Sequence, residues 1–417
     1  MSVSNGGFPS RRTRRFSPAD VLGWALIPAL APMHAAHAQW TVVNLHPNGA
    51  TASFGYRVRD GQQVGWATFA GVDHAMLWTG TAESKIDLHP VGAVLSQAYN
   101  VQAGQQVGRV VIGGGDRAAL WTGSAAGWHD VTPVNSPTAQ AAGIADGVQV
   151  GHAAVSGWNH ASVWTGSTGS WMDLHPSGTL LSQLHGARDG QQVGVTTTSN
   201  TAPNHAGLWS GSAGSYVDLH PSGANWSWAR AVGNGQQVGW TFINGAPRGS
   251  LWSGSAASWV DLTPAGATES WANDVDAGLI VGSARIDGVL HASLWTGPSA
   301  RWEDLSTALD GAWGQTAANG VWTDGVTLFV VGSGFNVATS RTEALLWTRP
   351  LIPVSIAGDL NADGVVNGAD LGILLGAWGA CPPALQGGPG NGCPSDLDGD
   401  GEVDGADLGI LLGAWTG

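Results

Sequence analysis

Short apolar segments, separated by glycine, serine or proline, recur along the middle of the chain. In residues 96–138 the order is an A-x-x-V run, GQQVGRVVIGG, RAALWTG and GWHDVTP, each bounded by small or turn-forming residues. Short apolar runs between tight turns predict β-strands and not helices. One such stretch therefore predicts four strands.

These segments return with a nearly constant period. An aliphatic residue followed by tryptophan marks each unit, with the tryptophans at Trp78, Trp121, Trp164, Trp209, Trp252, Trp295 and Trp347. A W-x-D-L-H-P-like segment also occurs seven times, starting at residues 40, 85, 128, 171, 216, 259 and 302. Seven four-stranded units predict a mainly β fold, a seven-bladed β-propeller over residues 39–349. A β-helix has a shorter repeat, and a stacked open solenoid would need distinct capping units.

The phase of the repeat predicts how the ring closes. The first repeated segment, at Trp40, matches the fourth strand of a unit, whereas the last unit lacks that strand after Trp347. We therefore expect the strand that starts at Trp40 to complete the last blade, which leaves no open sheet edge. The tryptophan of each pair is expected to fill the gap between adjacent blades.

The repeat resembles the HAF family of extracellular repeats. The strings that carry the resemblance are QQVG, HAMLW at residues 74–78, HASLW at residues 291–295, DLHPVG and LSQA. The resemblance covers residues 40–349 and transfers no catalytic residue to this chain.

The N-terminal segment has the pattern of a secretory signal peptide. Four arginines lie within residues 11–15, residues 21–32 are apolar, and Ala36-His37-Ala38 offers a cleavage site before Gln39. The apolar run is too short to span a bilayer as a helix. We predict that residues 1–38 are removed and that the protein is secreted or held in the cell envelope; a disordered basic tail is the alternative.

Composition excludes one class of partner and gives no sign of catalysis. The net charge of −14 argues against nucleic acid, because binding phosphates requires a basic surface. The sequence contains no G-x-S-x-G, H-E-x-x-H, G-x-x-x-x-G-K or C-x-x-C motif. Most histidines recur with the repeat and are expected to be structural. On these grounds we predict a protein that is not an enzyme.

Two acidic segments near the C-terminus have the pattern of calcium loops. Residues 359–370 read DLNADGVVNGAD, and residues 396–407 read DLDGDGEVDGAD. Loops of the EF-hand type supply oxygen ligands at positions 1, 3, 5, 7, 9 and 12, with glycine at position 6. The predicted ligands are Asp359, Asn361, Asp363, Val365, Asn367, Asp370, Asp396, Asp398, Asp400, Glu402, Asp404 and Asp407. The sequence therefore predicts two bound calcium ions.

The residues around these loops resemble a type I dockerin. Each loop runs into the segment LGILLGAW, which predicts a short helix, and each has aspartate at position 12. The resemblance covers residues 359–417, with residues 350–358 as a linker. It implies that the paired helices bind a cohesin partner, with recognition positions at 368–369 and 405–406.

The two cysteines of the chain, Cys381 and Cys393, lie between the calcium loops. Two cysteines so close together in an exported chain predict a disulfide.

Tryptophans that break the repeat are candidates for a ligand face. Trp226, Trp228, Trp271 and Trp313 are expected in the links between the fourth strand of one blade and the first strand of the next. Exposed on one face of the propeller, they would stack on sugar rings or anchor a protein. The alternative is that they pack between blades.

Two functions follow from the sequence. The first is an exported, non-enzymatic binding or scaffold protein, attached to a partner or to the cell surface through a calcium-dependent dockerin-like module. The second is a component of extracellular polysaccharide degradation, with a carbohydrate-binding or carbohydrate-active propeller. A cluster of histidine, tyrosine, arginine and carboxylate groups on one face of the propeller would favour the second.

Overall fold

The structure is a computed structural model, and it describes Ser2 and residues 40–296, 301–311, 313–351, 358–361, 366–381 and 393–415. The segment expected to be a signal peptide lies outside the described residues, apart from Ser2. Within the described part of the chain, seven four-stranded antiparallel sheets follow one another. The predicted seven-bladed propeller is therefore confirmed.

The first two strands of each blade are long and carry the glycine-rich repeat. The first strands of blades 1 to 7 are Ala52–Arg59, Leu95–Gln102, Ala139–Ala145, Leu181–Arg188, Trp226–Gly233, Glu269–Asp276 and Trp313–Thr323. The second strands are Gln62–Phe69, Gln105–Ile112, Val148–Val155, Gln191–Thr197, Gln236–Ile243, Leu279–Ile286 and Thr327–Asn336. The first strands of neighbouring blades contact one another around the ring and so surround a central channel.

The third strands end on the repeated tryptophan, except in blades 6 and 7, where they continue past it. They are Val72–Trp78, Gly115–Trp121, Trp158–Trp164, His205–Trp209, Ala246–Trp252, Val289–Thr296 and Arg341–Pro350. The fourth strands of blades 1 to 6 are short: Ile86–Asp87, His129–Asp130, Met172–Asp173, Val217–Asp218, Val260–Asp261 and Arg301–Asp304. Short 3-10 helices lie beside them at Ala125–Gly127, Thr168–Ser170, Ala213–Ser215, Ala256–Ser258 and Leu305–Ala308.

The fourth strand of blade 7 comes from the other end of the propeller sequence. Thr41–Asn44 pairs antiparallel with the third strand of that blade, with Val42 opposite Trp347. The next residue, Leu45, is fully buried, and its amide donates to the carbonyl of Ala344 at 2.8 Å. This pairing confirms the predicted closure of the ring.

The repeated tryptophans pack between blades, as the sequence predicts. All seven are buried. Trp121 of blade 2 lies in one apolar cluster with Leu77 and Leu88 of blade 1, and its indole N–H donates to the Leu88 carbonyl at 2.8 Å. Each blade therefore rests on its predecessor through a large buried ring, and this packing holds the channel-lining strands in position.

The C-terminal residues form a separate arrangement of two helices. Helix α1 spans Gly368–Gly376 and helix α2 spans Gly405–Gly413, while the two-residue strands Gly379–Ala380 and Glu402–Val403 pair antiparallel. A small core of buried apolar residues joins them: Val366, Leu374, Cys381, Val403 and Leu411. No helix in the described part of the chain is both long and apolar enough to cross a bilayer.

Candidate functional site

Three carboxylates converge in the second acidic loop. Ligand oxygens of Asp396, Asp398 and Asp400 lie within 4.8 Å of one another. These residues occupy positions 1, 3 and 5 of the predicted calcium loop. Convergence of hard oxygen donors at this spacing fits a calcium ion.

Backbone amides hold this loop in shape. The carboxylate of Asp396 accepts from Gly399 N at 2.7 Å and from Gly401 N at 3.0 Å. At position 12, Asp407 accepts from Leu397 N at 2.5 Å and from Asp404 N at 2.8 Å. The loop is therefore closed on itself by its own carboxylates.

The charges of this loop repel one another. Desolvation raises the pKa of Asp398, and the neighbouring carboxylates of Asp400 and Asp407 raise it further. A bound cation would reverse this effect, because it favours the charged form of each carboxylate. The electrostatics of the loop therefore also fit a cation.

The first acidic loop repeats the arrangement where it is described. Asp370 accepts from Leu360 N at 2.8 Å and from Asn367 N at 2.9 Å, as Asp407 does in the second loop. Although burial opposes it, the backbone amides, with that of Asn367 foremost, hold the pKa of Asp370 below its usual value. Asp359 and Asn361 are described; two further predicted ligands, Asp363 and Val365, lie outside the described residues.

Position 9 of each loop begins a helix. Asn367 and Asp404 are the N-caps of α1 and α2, and their side chains accept from Ala369 N and Ala406 N, both at 2.7 Å. Each helix therefore starts at the end of a loop, so a change in loop shape would act directly on the helix.

The helices leave apolar side chains on the surface. The exposed ones are Ile373, Leu375, Trp378, Leu412 and Trp415, each between 40% and 52% exposed. Leu375 and Leu412 occupy equivalent places in the repeated segment, as do Trp378 and Trp415. Beside them, Cys381 and Cys393 form a disulfide with their Cα atoms 6.0 Å apart.

In the propeller, most histidines perform one repeated task. His74, His160, His205 and His291 each contact an aspartate of the adjoining fourth strand through Nδ1, at 2.7–2.8 Å. Three of them also stack on a histidine of the DLHP segment, with ring centroids 3.9–4.0 Å apart. A contact repeated in blade after blade supports the fold.

Each first strand of the propeller contains an unpaired residue at one equivalent place, and the first strand of blade 7 has a further irregularity between Trp313 and Thr316. The register against the second strand shifts by one residue in every blade, which is the pattern of a β-bulge. We call these seven residues the bulge ring: Tyr56, Tyr99, Ala142, His185, Arg230, Asn273 and Asn319. Unlike other positions of the repeat, this one carries mostly different side chains, so it is a candidate for recognition.

Several members of the bulge ring bind the next blade. His185 Nδ1 lies 2.9 Å from the Ala229 carbonyl, Asn273 donates to Ala318 O at 3.0 Å, and Asn319 donates to Gly55 O at 2.9 Å. The acceptor in each case is the residue just before the next bulge. The ring therefore lies where neighbouring first strands meet, at the wall of the channel.

Polar and aromatic groups surround the ring on two blades. The rings of Tyr56 and Tyr99 lie 5.6 Å apart, and Tyr56 lies 4.7 Å from Trp66. Arg109 contacts Asp116 at 3.3 Å. Burial raises the pKa of Tyr99 above its usual range.

Two histidines outside the repeated slots also belong to this region. Burial lowers the pKa of His152 to about 4. Burial first, and the charge of Arg230 second, lower the pKa of His185 to about 3. Both imidazoles are therefore neutral near pH 7. The channel also contains a small cavity of about 50 Å³, lined by residues that include Arg57, Arg188 and Asp274.

The structure corrects the place assigned to the four candidate tryptophans. Trp226, Trp228, Trp271 and Trp313 lie in first strands and not in the links between blades. The strands begin earlier than the repeat motif indicates, because Trp226 and Trp228 continue the ladder opposite Phe242 and Trp240. Of the four, Trp226 is the most exposed, at 42%.

These observations can be set beside known proteins. Residues 357–412 match the Dockerin type I domain. No curated protein matches the chain. The matched residues thus include both acidic loops, helix α1 and all but the last residue of helix α2; dockerin type I domains bind calcium and cohesins.

Solved structures with similar propellers include several enzymes. Puromycin hydrolase is 12% identical, with a TM-score of 0.49 over 72% of this chain and 56% of that chain. Acylaminoacyl peptidase from Pyrococcus horikoshii is 10% identical, with a TM-score of 0.47 over 71% and 51%. An oligogalacturonate lyase in complex with manganese is 13% identical, with a TM-score of 0.48 over 76% and 95%. The chain thus spans about half the length of the two hydrolases, and likeness at these identities concerns the fold alone.

These comparisons contradict the expectation that the protein is not an enzyme. Puromycin hydrolase and acylaminoacyl peptidase carry similar propellers. The expectation rested on missing motifs, and most of those motifs belong to other folds. Their absence from the sequence therefore does not decide whether this propeller is catalytic.

Sequence reasoning missed the bulge ring. The signal was present: once the seven units are aligned, one column reads Tyr, Tyr, Ala, His, Arg, Asn and Asn. Apolar patterns do not reveal it, because a bulge breaks the alternation from which strands are predicted.

Proposed function

We propose that the protein is exported and that its dockerin domain, loaded with calcium, docks onto a cohesin-type partner and so attaches the propeller to it. The observation that carries this proposal is the pair of acidic loops, each of which runs directly into a helix with exposed apolar side chains. Dockerin proteins are typically extracellular or at the cell surface, which supports export. Removal of residues 1–38 before Gln39 is part of the proposal.

The proposed calcium sites use the predicted ligands of each loop. In the second loop Asp396, Asp398 and Asp400 would supply carboxylate oxygens, Glu402 its carbonyl, and Asp407 the position-12 carboxylate. The first loop would use the equivalent residues. Calcium would neutralise the loops and fix the start of each helix, because position 9 is also the N-cap.

The proposed docking surface consists of the exposed apolar side chains of the helices. Exposed apolar side chains that recur in equivalent places are typical of a surface that a partner covers. Leu375 and Leu412 offer one equivalent pair, and Trp378 and Trp415 offer another. Since the two helices repeat one sequence, GADLGILLG, the partner would meet similar side chains on each.

The proposed domain limits follow from the strands and helices. The propeller would occupy residues 39–349, the linker residues 350–358 and the dockerin domain residues 359–417. The last propeller strand ends at Pro350 and the first helix begins at Gly368, which supports these limits.

Binding to a type I cohesin tests the proposal. We expect the full chain to bind an immobilised cohesin in millimolar calcium and to dissociate when a chelator is added. Asp359→Ala combined with Asp396→Ala should abolish binding, whereas Glu83→Ala, which removes an exposed acidic group of the propeller, should leave it unchanged. Calcium-independent binding, or equal binding by the double variant, would contradict the proposal.

A second function is favoured by the channel of the propeller. Tyrosine, histidine, arginine and carboxylate groups gather around the bulge ring, and this is the feature expected of a carbohydrate-binding or carbohydrate-active propeller. Stacked indole rings lie in the first and second strands of blade 5, with the Trp228 and Trp240 ring centroids 4.9 Å apart. We therefore propose that the propeller recognises a carbohydrate, as a component of extracellular polysaccharide degradation. A screen of the full chain against a glycan array tests this, and a lack of any bound glycan would contradict it.

A further inference from the structure

Arg230 differs from its equivalents in the bulge ring. His185, Asn273 and Asn319 each contact a carbonyl of the next blade, as described above. Arg230 forms no hydrogen bond or ion pair with any other residue that the structure describes. A guanidinium group has five N–H donors and stays charged, so a free one in a protein wall is an unused binding group.

Two other arginines near the ring are already neutralised. Arg57 contacts Asp274 at 3.6 Å and donates to Asn273 O at 3.1 Å. Arg109 contacts Asp116 at 3.3 Å and donates to Gln97 Oε1 at 3.1 Å. Arg230, like Arg59 on blade 1, lacks a carboxylate partner among the described residues, and of these two arginines Arg230 belongs to the bulge ring.

The surroundings of Arg230 do not compensate its charge. Arg230 is half-buried, and burial lowers its pKa, with the charge of Arg57 lowering it further. The positive charge of Arg230 also lowers the pKa of His185 on the preceding blade. A partly desolvated charge without a partner is costly, so a bound anion would stabilise this wall of the channel.

Stacked aromatic side chains lie in the same blade as this cation and in blade 1. Trp228 precedes Arg230 by two residues, roughly 7 Å along a strand. It stacks on Trp240 with an interplanar angle of 21°. On blade 1, Trp66 stacks on Phe54 with ring centroids 4.9 Å apart. Indole faces pack against the apolar face of a sugar ring, as they do against other flat apolar surfaces.

We propose that the bulge ring binds an acidic oligosaccharide, with Arg230 holding a uronic-acid carboxylate and Trp228 and Trp240 supporting a sugar ring. The planar guanidinium matches a carboxylate through two parallel N–H donors. The combination of one unpaired cation and stacked indoles distinguishes this ligand from a neutral sugar. The inference rests on the second proposed function, that the propeller recognises carbohydrate.

The test compares three oligosaccharides by calorimetry with the full chain. The probes are an alginate tetramer, its methyl ester, in which the carboxylates are neutral, and neutral cellotetraose. We expect the alginate tetramer to bind and the ester to bind at least tenfold more weakly. Arg230→Gln should weaken binding of the tetramer by about 10- to 100-fold, the range expected for charged hydrogen bonds. The matched control is Arg248→Gln, which makes the same charge change in the third strand of the same blade and should bind as the parent does.

Thermal melting separates loss of binding from loss of folding. Arg230→Gln removes an uncompensated charge, so its melting temperature should equal or exceed that of the parent. Trp228→Ala should weaken binding of the tetramer as well, while retaining the preference for the free acid over the ester.

The outcomes distinguish this inference from the function on which it rests. If cellotetraose and the ester bind as tightly as the acid, and Arg230→Gln has no effect, the propeller recognises carbohydrate but the acidic site is wrong. If none of the three oligosaccharides binds while a peptide with a free C-terminal carboxylate does, both proposals fail and Arg230 serves a peptide. Binding of free acetate with the same affinity per carboxylate as the tetramer would also overturn the inference.

Discussion

The closure of the ring makes one leucine near the start of the propeller as important as its equivalents inside it. Leu45 follows the strand Thr41–Asn44 and is fully buried between blade 7 and blade 1, in a cluster that includes Met76 and Trp78. Leu88 occupies the same place of the repeat in blade 1 and is also fully buried. The substitutions Leu45→Ala and Leu88→Ala therefore remove the same side chain from equivalent sites.

The expected cost follows from the burial of the two side chains. A buried leucine replaced by alanine costs about 2–5 kcal/mol, from lost transfer energy and from the cavity that remains. For a domain of this size, about 2 °C of melting temperature is lost per kcal/mol, so each variant should melt roughly 4–10 °C below the parent. The backbone contacts also match, since both amides donate to a third-strand carbonyl, at 2.8 Å for Leu45 and 2.9 Å for Leu88.

Tryptophan fluorescence during heating measures both variants, because the seven repeated tryptophans are buried in the propeller. We expect the two melting temperatures to agree within about 3 °C. Removal of residues 40–47 should lower the melting temperature further, because it deletes the whole closing strand. A Leu45→Ala protein that melts with the parent, beside a strongly destabilised Leu88→Ala protein, would show that the N-terminal strand does not close the ring.

Three more predictions concern the strands, the channel and the dockerin domain. Gly239→Ala would place a Cβ 1.8 Å from the Trp228 carbonyl oxygen and should lower the free energy of unfolding by about 3 kcal/mol. In the control Gly214→Ala, the added Cβ meets no heavy atom within 4 Å, so the free energy of unfolding should change by less than about 0.5 kcal/mol. Denaturant titrations measure both values. The folded-state pKa of His152 (about 4) and of His185 (about 3) lies below the unfolded value near 6.5. The contribution of these histidines to stability is therefore complete above pH 6.5 and is lost as the pH falls towards the folded values. Melting curves from pH 8 to pH 4 should show this loss of stability, and His152→Gln should make the loss smaller. Calorimetry should show two calcium ions per chain, with dissociation constants near 10⁻⁴–10⁻³ M or tighter. Chelation of calcium should unfold the dockerin domain and shift the melting temperature of the propeller by less than about 1 °C. A single calcium site, or loss of the propeller transition on chelation, would contradict this prediction.

The propeller could be predicted because every blade needs the same packing residues at the same places in its sequence. Each unit needs a tryptophan to fill the gap to the preceding blade, and a short segment to end the sheet, so those residues return with a fixed period. The offset between the first and last units also predicted the closing strand. The disulfide of Cys381 with Cys393 is present in the structure, at the spacing expected of neighbouring cysteines in an exported chain.

The channel could not be predicted from the same pattern. Arg230 and His185 lie at bulges, and no rule of alternation assigns a bulged residue to a face. Trp228 was expected in a link between blades because the repeat motif starts later in other units; only the pairing with Trp240 shows that the strand already includes it. The role of an unpaired arginine depends on which groups the ring brings together, and this is a property of the closed propeller.

The bulges also bear on how such a protein diversifies. A bulged residue takes no part in the hydrogen-bond ladder, so its replacement leaves strand pairing intact. Among the seven units of this chain the bulge column varies, whereas the tryptophan and glycine columns are constant. If the channel binds a ligand as proposed, bulge-ring side chains such as Tyr99 and Arg230 would set its specificity, while the blades would keep the same frame. A library of variants with substituted bulge-ring residues would then give propellers with new specificities and unchanged strand pairing.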